Sequence, residues 1–200
     1  MPTSKAWAVL GLLALAGCSE SFNNPTRAAP SQIELPDGMI VAGANGWCID
    51  PDVSRAKGDT AVVVLGSCAA IGQNAFAPRP DVPGIVTVSV EQGAASAPSP
   101  AELEDFFVSD QGRAALARDG QSESVDILQS YASEDRFVIH TVDRSALPNA
   151  SPLTWRALFG LDGRFVSVSL YSSQEQPIEP KDGLATLEAQ VDELIAVNAP

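Results

Sequence analysis

The stretch LTWRALFGLDGRFVSVSLYS, residues 153–172, decides the fold. On its first arm Leu153, Trp155, Ala157 and Phe159 fall on every second position, and on its second arm so do Val166, Val168 and Leu170. A period of two is that of a β-strand, whose successive side chains go to opposite faces. Between the arms lies Asp162-Gly163, a pair that tolerates the positive φ angles a tight two-residue turn demands. The stretch therefore predicts an antiparallel hairpin with one apolar face turned to a core.

Working outward, VDILQSY (125–131) and RFVIHTVD (136–143) form a second candidate hairpin around Ala132-Ser133-Glu134-Asp135. Further upstream, TAVVVLG (60–66) is apolar on consecutive positions, which predicts a strand buried on both faces. In GIVTVSVEQ (84–92), Val86, Val88 and Val90 alternate with Ile85 and Thr87, and QIEL and MIVA (32–35, 39–42) flank the turn signal Pro36-Asp37-Gly38. Two segments have helical spacing instead. SPAELEDFFVSDQGRAALARDG (99–120) opens with a capping serine, a proline suited to the first turn and Glu102 to close a capping box. It carries Leu103, Phe106, Phe107, Ala114 and Ala117 on one side, with Gly112 as its weakest interior point. The last segment starts at Asp182, places Leu184, Leu187, Val191, Leu194 and Ile195 on one stripe, and fades at Asn198. Hairpin-linked strands with two separated main helices predict an α+β fold on a largely antiparallel sheet.

Charge excludes some partners. The chain has 12 Lys and Arg against 25 Asp and Glu, a formal net charge of −13. Affinity for nucleic-acid phosphates and anionic headgroups rests on Lys and Arg, so neither is an expected partner. A hydrophobic content of 45% suits one folded domain, expected over residues 33–200.

The N-terminus has a different character. After Lys5 the chain runs from Ala6 to Gly17 without a polar residue, the length of a signal-peptide core and too short to span a bilayer. Leu15-Ala16-Gly17-Cys18 resembles the lipobox of bacterial lipoproteins, in which the cysteine is acylated and becomes the mature N-terminus. The resemblance implies a signal peptide over residues 1–17, lipidation (palmitate-type acylation) at Cys18 and a flexible tether over 18–32. Stable attachment needs more than one acyl chain, which the multiply acylated cysteine of such lipoproteins supplies. Ser19 stands where an inner-membrane retention Asp would, implying the outer membrane, facing the periplasm. The alternative, an ordinary secretory signal, exports the chain all the same. In that oxidising compartment Cys48 and Cys68 are expected to form a disulfide. A redox or metal pair competes poorly, because the spacing is far from C-x-x-C and His140 is the chain's one histidine.

Signatures of chemistry are sparse. No G-x-G-x-x-G, P-loop, H-E-x-x-H or G-x-S-x-G occurs, and neither a cofactor nor a metal is expected. A hydrolase built on His140 would take Asp126 or Asp143 as orienter, but no spacing selects its serine, and a histidine on the solvated face of a strand is the ordinary reading. Asp50, Asp52 and Asp59 could ligate calcium, but Arg55 and Ala61 stand where an EF-hand loop needs Gly and Glu. An Asp-Pro turn with carboxylates capping backbone amides is the plainer account. Trp47, beside Cys48, is expected to pack on the disulfide.

The order of elements, with the WRALFGLDGRFVSVSLYS hairpin between two helices, resembles the PsbP-like α/β/α sandwich across residues 33–198, and the chain as a whole is similar to alphaproteobacterial lipoproteins. Members of that fold are mostly non-enzymatic binding or assembly factors. The resemblance implies a lipid-anchored envelope module with an envelope protein as partner. The alternatives are a periplasmic hydrolase using His140, or a calcium- or small-ligand-binding lipoprotein.

Overall fold

The computed structural model describes residues 28–91 and 97–200. Cys18, the signal peptide and the tether up to residue 27 lie outside the described residues.

The hairpin that anchored the sequence reading is the centre of the sheet. β8 (Ala150–Leu161) and β9 (Arg164–Ser173) pair antiparallel with Leu161 opposite Arg164. Asp162 and Gly163 both take positive φ, 50° and 73°, as the turn requires. Before β8 come β6 (Val125–Ala132) and β7 (Arg136–Asp143), and before those β3 (Trp47–Ile49), β4 (Thr60–Ser67) and β5 (Ile85–Glu91). They form one seven-stranded antiparallel sheet in the order β3-β4-β5-β9-β8-β7-β6. β1 (Gln32–Glu34) and β2 (Ile40–Ala42) make a separate hairpin about Gly38, at φ 89°. The class is α+β with a largely antiparallel sheet.

Register explains the core. One row across the sheet reads Val63, Val88, Val168, Ala157 and Val138, and the next reads Leu65, Val86, Leu170, Trp155 and His140. Every one of these ten side chains is buried. Over this face lies the last helix, α4 (Pro180–Val197), which inserts Leu187, Val191 and Leu194, all fully buried. It begins two positions earlier than Asp182, because Pro180 suits a first turn. The β1–β2 hairpin adds Leu35, Met39 and Val41 to the same cluster. Two side chains of α4 fasten it there. Gln190 accepts from the Ala44 N–H at 3.0 Å and donates to the Ala42 carbonyl at 2.6 Å. Asn198 accepts from the Ile40 N–H at 2.9 Å and donates to its carbonyl at 2.8 Å, pairing with that residue as a neighbouring strand would.

The opposite face is covered over only part of its width. Leu103 and Phe107 of α2 (Pro100–Val108) pack with Phe137, Ile139 and Leu158, and α3 (Asp110–Leu116) follows directly. The capping box at Ser99 and Glu102 forms. The helix breaks at Ser109, not at Gly112. Ser109 takes an extended backbone, its hydroxyl donates to the Phe106 carbonyl at 2.6 Å and accepts from the Gly112 N–H at 3.1 Å, so one serine ends α2 and starts α3. Gly112 serves close approach: a Cβ there would meet the Phe106 carbonyl oxygen at 2.1 Å. The expected two main helices are thus three, with helix layers on both faces of the sheet. A short α1 (Cys68–Ile71) completes the described helices.

β4 corrects a second expectation. Ala61, Val63 and Leu65 are buried, while Val62 and Val64 on the other face are half-covered. α2 and α3 cover only the β6–β8 end of that face, so the consecutive valines of β4 reflect strand propensity, not two buried faces.

The disulfide between Cys48 and Cys68 is present. Just upstream, inside the segment assigned to the tether, the carbonyls of Pro30 and Ser31 accept from Ile49 and Gly43 N–H groups, so backbone pairing starts at Pro30. Charged contacts tie the periphery. Arg164 joins the two hairpin turns through Asp37, at 2.6 Å to the carboxylate and 3.0 Å to the carbonyl. Arg136 reaches Glu188 and Asp192 of α4 at 2.6 and 3.0 Å, and Tyr131 donates to the same Glu188. Burial, then Glu188, pushes the Tyr131 phenol above its ordinary range.

Candidate functional site

His140 is not on a solvated face. It occupies the buried row beside Trp155, 4% exposed, with its ring stacked flat on the indole at a centroid distance of 4.0 Å and 6° between planes. Phe137 to Thr141 are all buried, so neither parity of FVIHTVD is solvated at this position. Burial holds the imidazole below its ordinary pKa, favouring the neutral ring. The proposed orienters are elsewhere: Asp126 is ion-paired with Arg144, and Asp143 accepts from Ser145 and from the Arg118 N–H. Asp143 also lies three positions along the same strand, hence on the opposite face. Among the described residues no carboxylate orients His140, so they do not assemble the serine-hydrolase arrangement.

The aspartate-rich segment after β3 behaves as a turn. Asp50 accepts from the Asp52 N–H at 3.0 Å, a carboxylate capping a backbone amide. Among the described residues no three His, Cys, Asp or Glu side chains gather as a metal site would require. Trp47 sits beside the disulfide in sequence and is buried in the main core cluster. Among the described residues no helix is long and apolar enough to cross a membrane.

The structure brings together a different set. Where α3 ends, the chain after β7 and the first half of β8 enclose a cleft of about 360 Å³. Its floor is the partly covered face of the sheet, where Thr141, Thr154 and Tyr171 stand side by side in register. Leu116, Leu147 and Pro152 give it apolar walls, and Leu147 is an exposed leucine, 52% accessible. Arg156 reaches in from β8. Its Nε donates to Ser169 Oγ at 3.0 Å and its Nη2 faces the Tyr171 hydroxyl at 3.5 Å. Among the described residues it has no carboxylate partner; Arg55, Arg79 and Arg118 have none either but are exposed, whereas Arg156 is half-buried.

Arg118 and Asp143 also line the cleft. Burial opposes ionisation of Asp143, but the hydrogen bonds from Ser145 and the Arg118 N–H outweigh it and hold the carboxyl below its usual range. It is therefore an anion already committed to three donors. Counting side chains, two arginines and one aspartate leave the lining with a single net positive charge, in a chain of net charge −13.

Sequence reasoning passed over Arg156. The one available signal was its place in LTWRALF: an arginine between Trp155 and Ala157 on an alternating strand, with no acidic residue two positions away on either side.

Compared with known proteins, the chain matches no protein-family model and none of the curated proteins searched.

Proposed function

We propose that this protein is a lipid-anchored envelope protein, acylated at Cys18 and held at the outer membrane facing the periplasm, whose folded domain is a non-catalytic binding or assembly module for an envelope partner. The observation that carries the reading is the uncharged run ending in Leu15-Ala16-Gly17-Cys18. Three features support it. The Cys48–Cys68 disulfide suits an oxidising compartment. Backbone pairing starts at Pro30, leaving about a dozen residues after Cys18, a span of roughly 20 Å as a flexible coil, between lipid and domain. Helix layers on both faces of an antiparallel sheet support the PsbP-like resemblance, whose members mostly bind or assemble. The stacked, buried His140 argues for a module without a histidine base.

The test is intact mass of the protein purified from native membranes, compared with the Cys18→Ser variant. The expected result is a mature chain beginning at an acylated Cys18 in the outer-membrane fraction, and a soluble periplasmic Cys18→Ser protein. An unmodified Cys18, or a wild-type protein found entirely in the soluble fraction, overturns the anchor.

A further inference from the structure

We propose that the cleft at Arg156 binds a monoanionic carboxylate attached to a small apolar group. The argument starts from the arginine. A guanidinium presents a planar fork of donors matched to the two oxygens of a carboxylate. Arg156 uses Nε and one edge of Nη2 on hydroxyl groups, which fix the plane of the fork without neutralising it, and its remaining donors have no acceptor among the described residues. Half-burying an uncompensated charge costs free energy, and a protein with more than twice as many acids as bases had many carboxylates to place there. Arg113, Arg136, Arg144 and Arg164 are tied to Asp or Glu, and Arg55, Arg79 and Arg118, which have no described ion pair, are exposed to water, whereas Arg156 is half-buried and held open by Ser169 and Tyr171.

The lining then selects the ligand. Thr141, Thr154 and Tyr171 offer hydroxyl donors on the sheet floor, in line with Arg156. With Asp143 ionised beside Arg118, the net charge of the lining suits one negative charge and disfavours a phosphate dianion. Leu116, Leu147 and Pro152 provide the apolar wall against which a short hydrocarbon group would lie, and 360 Å³ is near the lower end of ligand-site volumes, enough for a ligand of roughly ten to fifteen heavy atoms. A free short-chain acid and the C-terminal carboxylate of a peptide share this chemistry.

The inference goes beyond the anchored-module reading and does not depend on acylation: failure of one leaves the other standing. The test titrates the full chain, by calorimetry and by chemical-shift perturbation, with four probes: hexanoate, inorganic phosphate, and a short peptide ending in Leu as the free acid or as the amide. Binding of hexanoate supports the inference and identifies a small acid as sufficient. Binding of the acid-ended peptide alone supports it and identifies a chain terminus as the source. In either case Arg156→Gln weakens binding by about tenfold or more, as expected for loss of a bidentate charged contact. Arg156→Lys recovers only part of it. Leu147→Glu, at a position that is 52% exposed, sets a second carboxylate at the wall and also weakens binding. The inference is overturned if neither carboxylate probe binds, if the amide or phosphate binds as tightly as the acids, or if Leu147→Glu and Arg156→Gln proteins of unchanged melting behaviour bind like wild type.

Discussion

Gln190→Leu replaces a fully buried polar side chain by an apolar one of similar volume, and by area alone it should stabilise the core. The structure predicts the reverse. Gln190 is the partner of two backbone groups, the Ala44 N–H at 3.0 Å and the Ala42 carbonyl at 2.6 Å, in the chain just after β2. Leucine leaves both without a partner under helix α4, where water has little access. Each buried orphan costs about 1–3 kcal/mol, so the gross penalty is about 2–6 kcal/mol. Against this, burying leucine in place of glutamine contributes about 1.5 kcal/mol. The net expectation is destabilisation by about 0.5–4.5 kcal/mol, measured as a lower urea midpoint with unchanged slope. Amides of β1 and β2 should also lose hydrogen-exchange protection before those of β8 and β9, since Gln190 and Asn198 supply the side-chain hydrogen bonds from α4 to β2 and the chain just after it. A Gln190→Leu protein as stable as wild type, or more so, would refute the claim that these two hydrogen bonds dock the hairpin.

Other expectations rest on single contacts. Opening the Cys48–Cys68 disulfide, whose partners are 20 residues apart, should cost about 3 kcal/mol in the chain-entropy treatment; a Cys48→Ser/Cys68→Ser protein of unchanged midpoint would show the cross-link to be idle. Gly112→Ala should destabilise by about 2 kcal/mol or more despite alanine's better helix propensity, because the new Cβ meets rigid backbone at 2.1 Å, whereas Gly66→Ala, whose Cβ meets the Ile71 side chain at 3.4 Å, should be tolerated; matched denaturation curves decide. For His140, burial lowers the folded pKa, so below about pH 6.5 the unfolded chain binds a proton that the folded one refuses. Its contribution to stability is complete above that pH and falls as pH drops toward the lowered folded value. The stability difference between wild type and His140→Gln should therefore shrink from about pH 8 to pH 5, and a difference that stayed flat would show the ring to be solvated.

Local signals were legible because their physics is local. The Asp162-Gly163 turn, the Ser99–Glu102 capping box, the stripe on α4 and the alternation along β5 and β9 each need only neighbouring residues, and each forms. What failed depended on partners far along the chain. β5 pairs with β9, so which face of each strand is covered was decided by elements that nothing local could place. That is why the consecutive valines of β4 suggested two buried faces, and why His140 was assigned to solvent although it is buried against Trp155. The break at Ser109 was missed for another reason: propensity flagged Gly112, but a serine able to cap one helix while starting the next acts through its side-chain hydrogen bonds. Arg156 was passed over because its meaning lies in the missing counter-charge, which only the packed surroundings reveal.

Sheet order also fixes where the first described residues lie relative to the cleft. The N-terminal segment pairs at β3, one edge of the sheet, beside the disulfide, while the cleft is built on β8 and β7. From β3 to β8 there are four steps, through β4, β5 and β9, or roughly 19 Å at the usual strand spacing. Antiparallel pairing sets Cys68, Tyr171 and Asp143 at the same end of their strands, so the first described residues, which pair at β3, and the cleft lie toward one end of the sheet's strands at separate positions along it. It follows that lengthening the tether should leave carboxylate affinity untouched, because the cleft is four strands away from the segment altered. A change in affinity with tether length would mean that the segment before Pro30 reaches the cleft, and would overturn this separation of anchor from binding site.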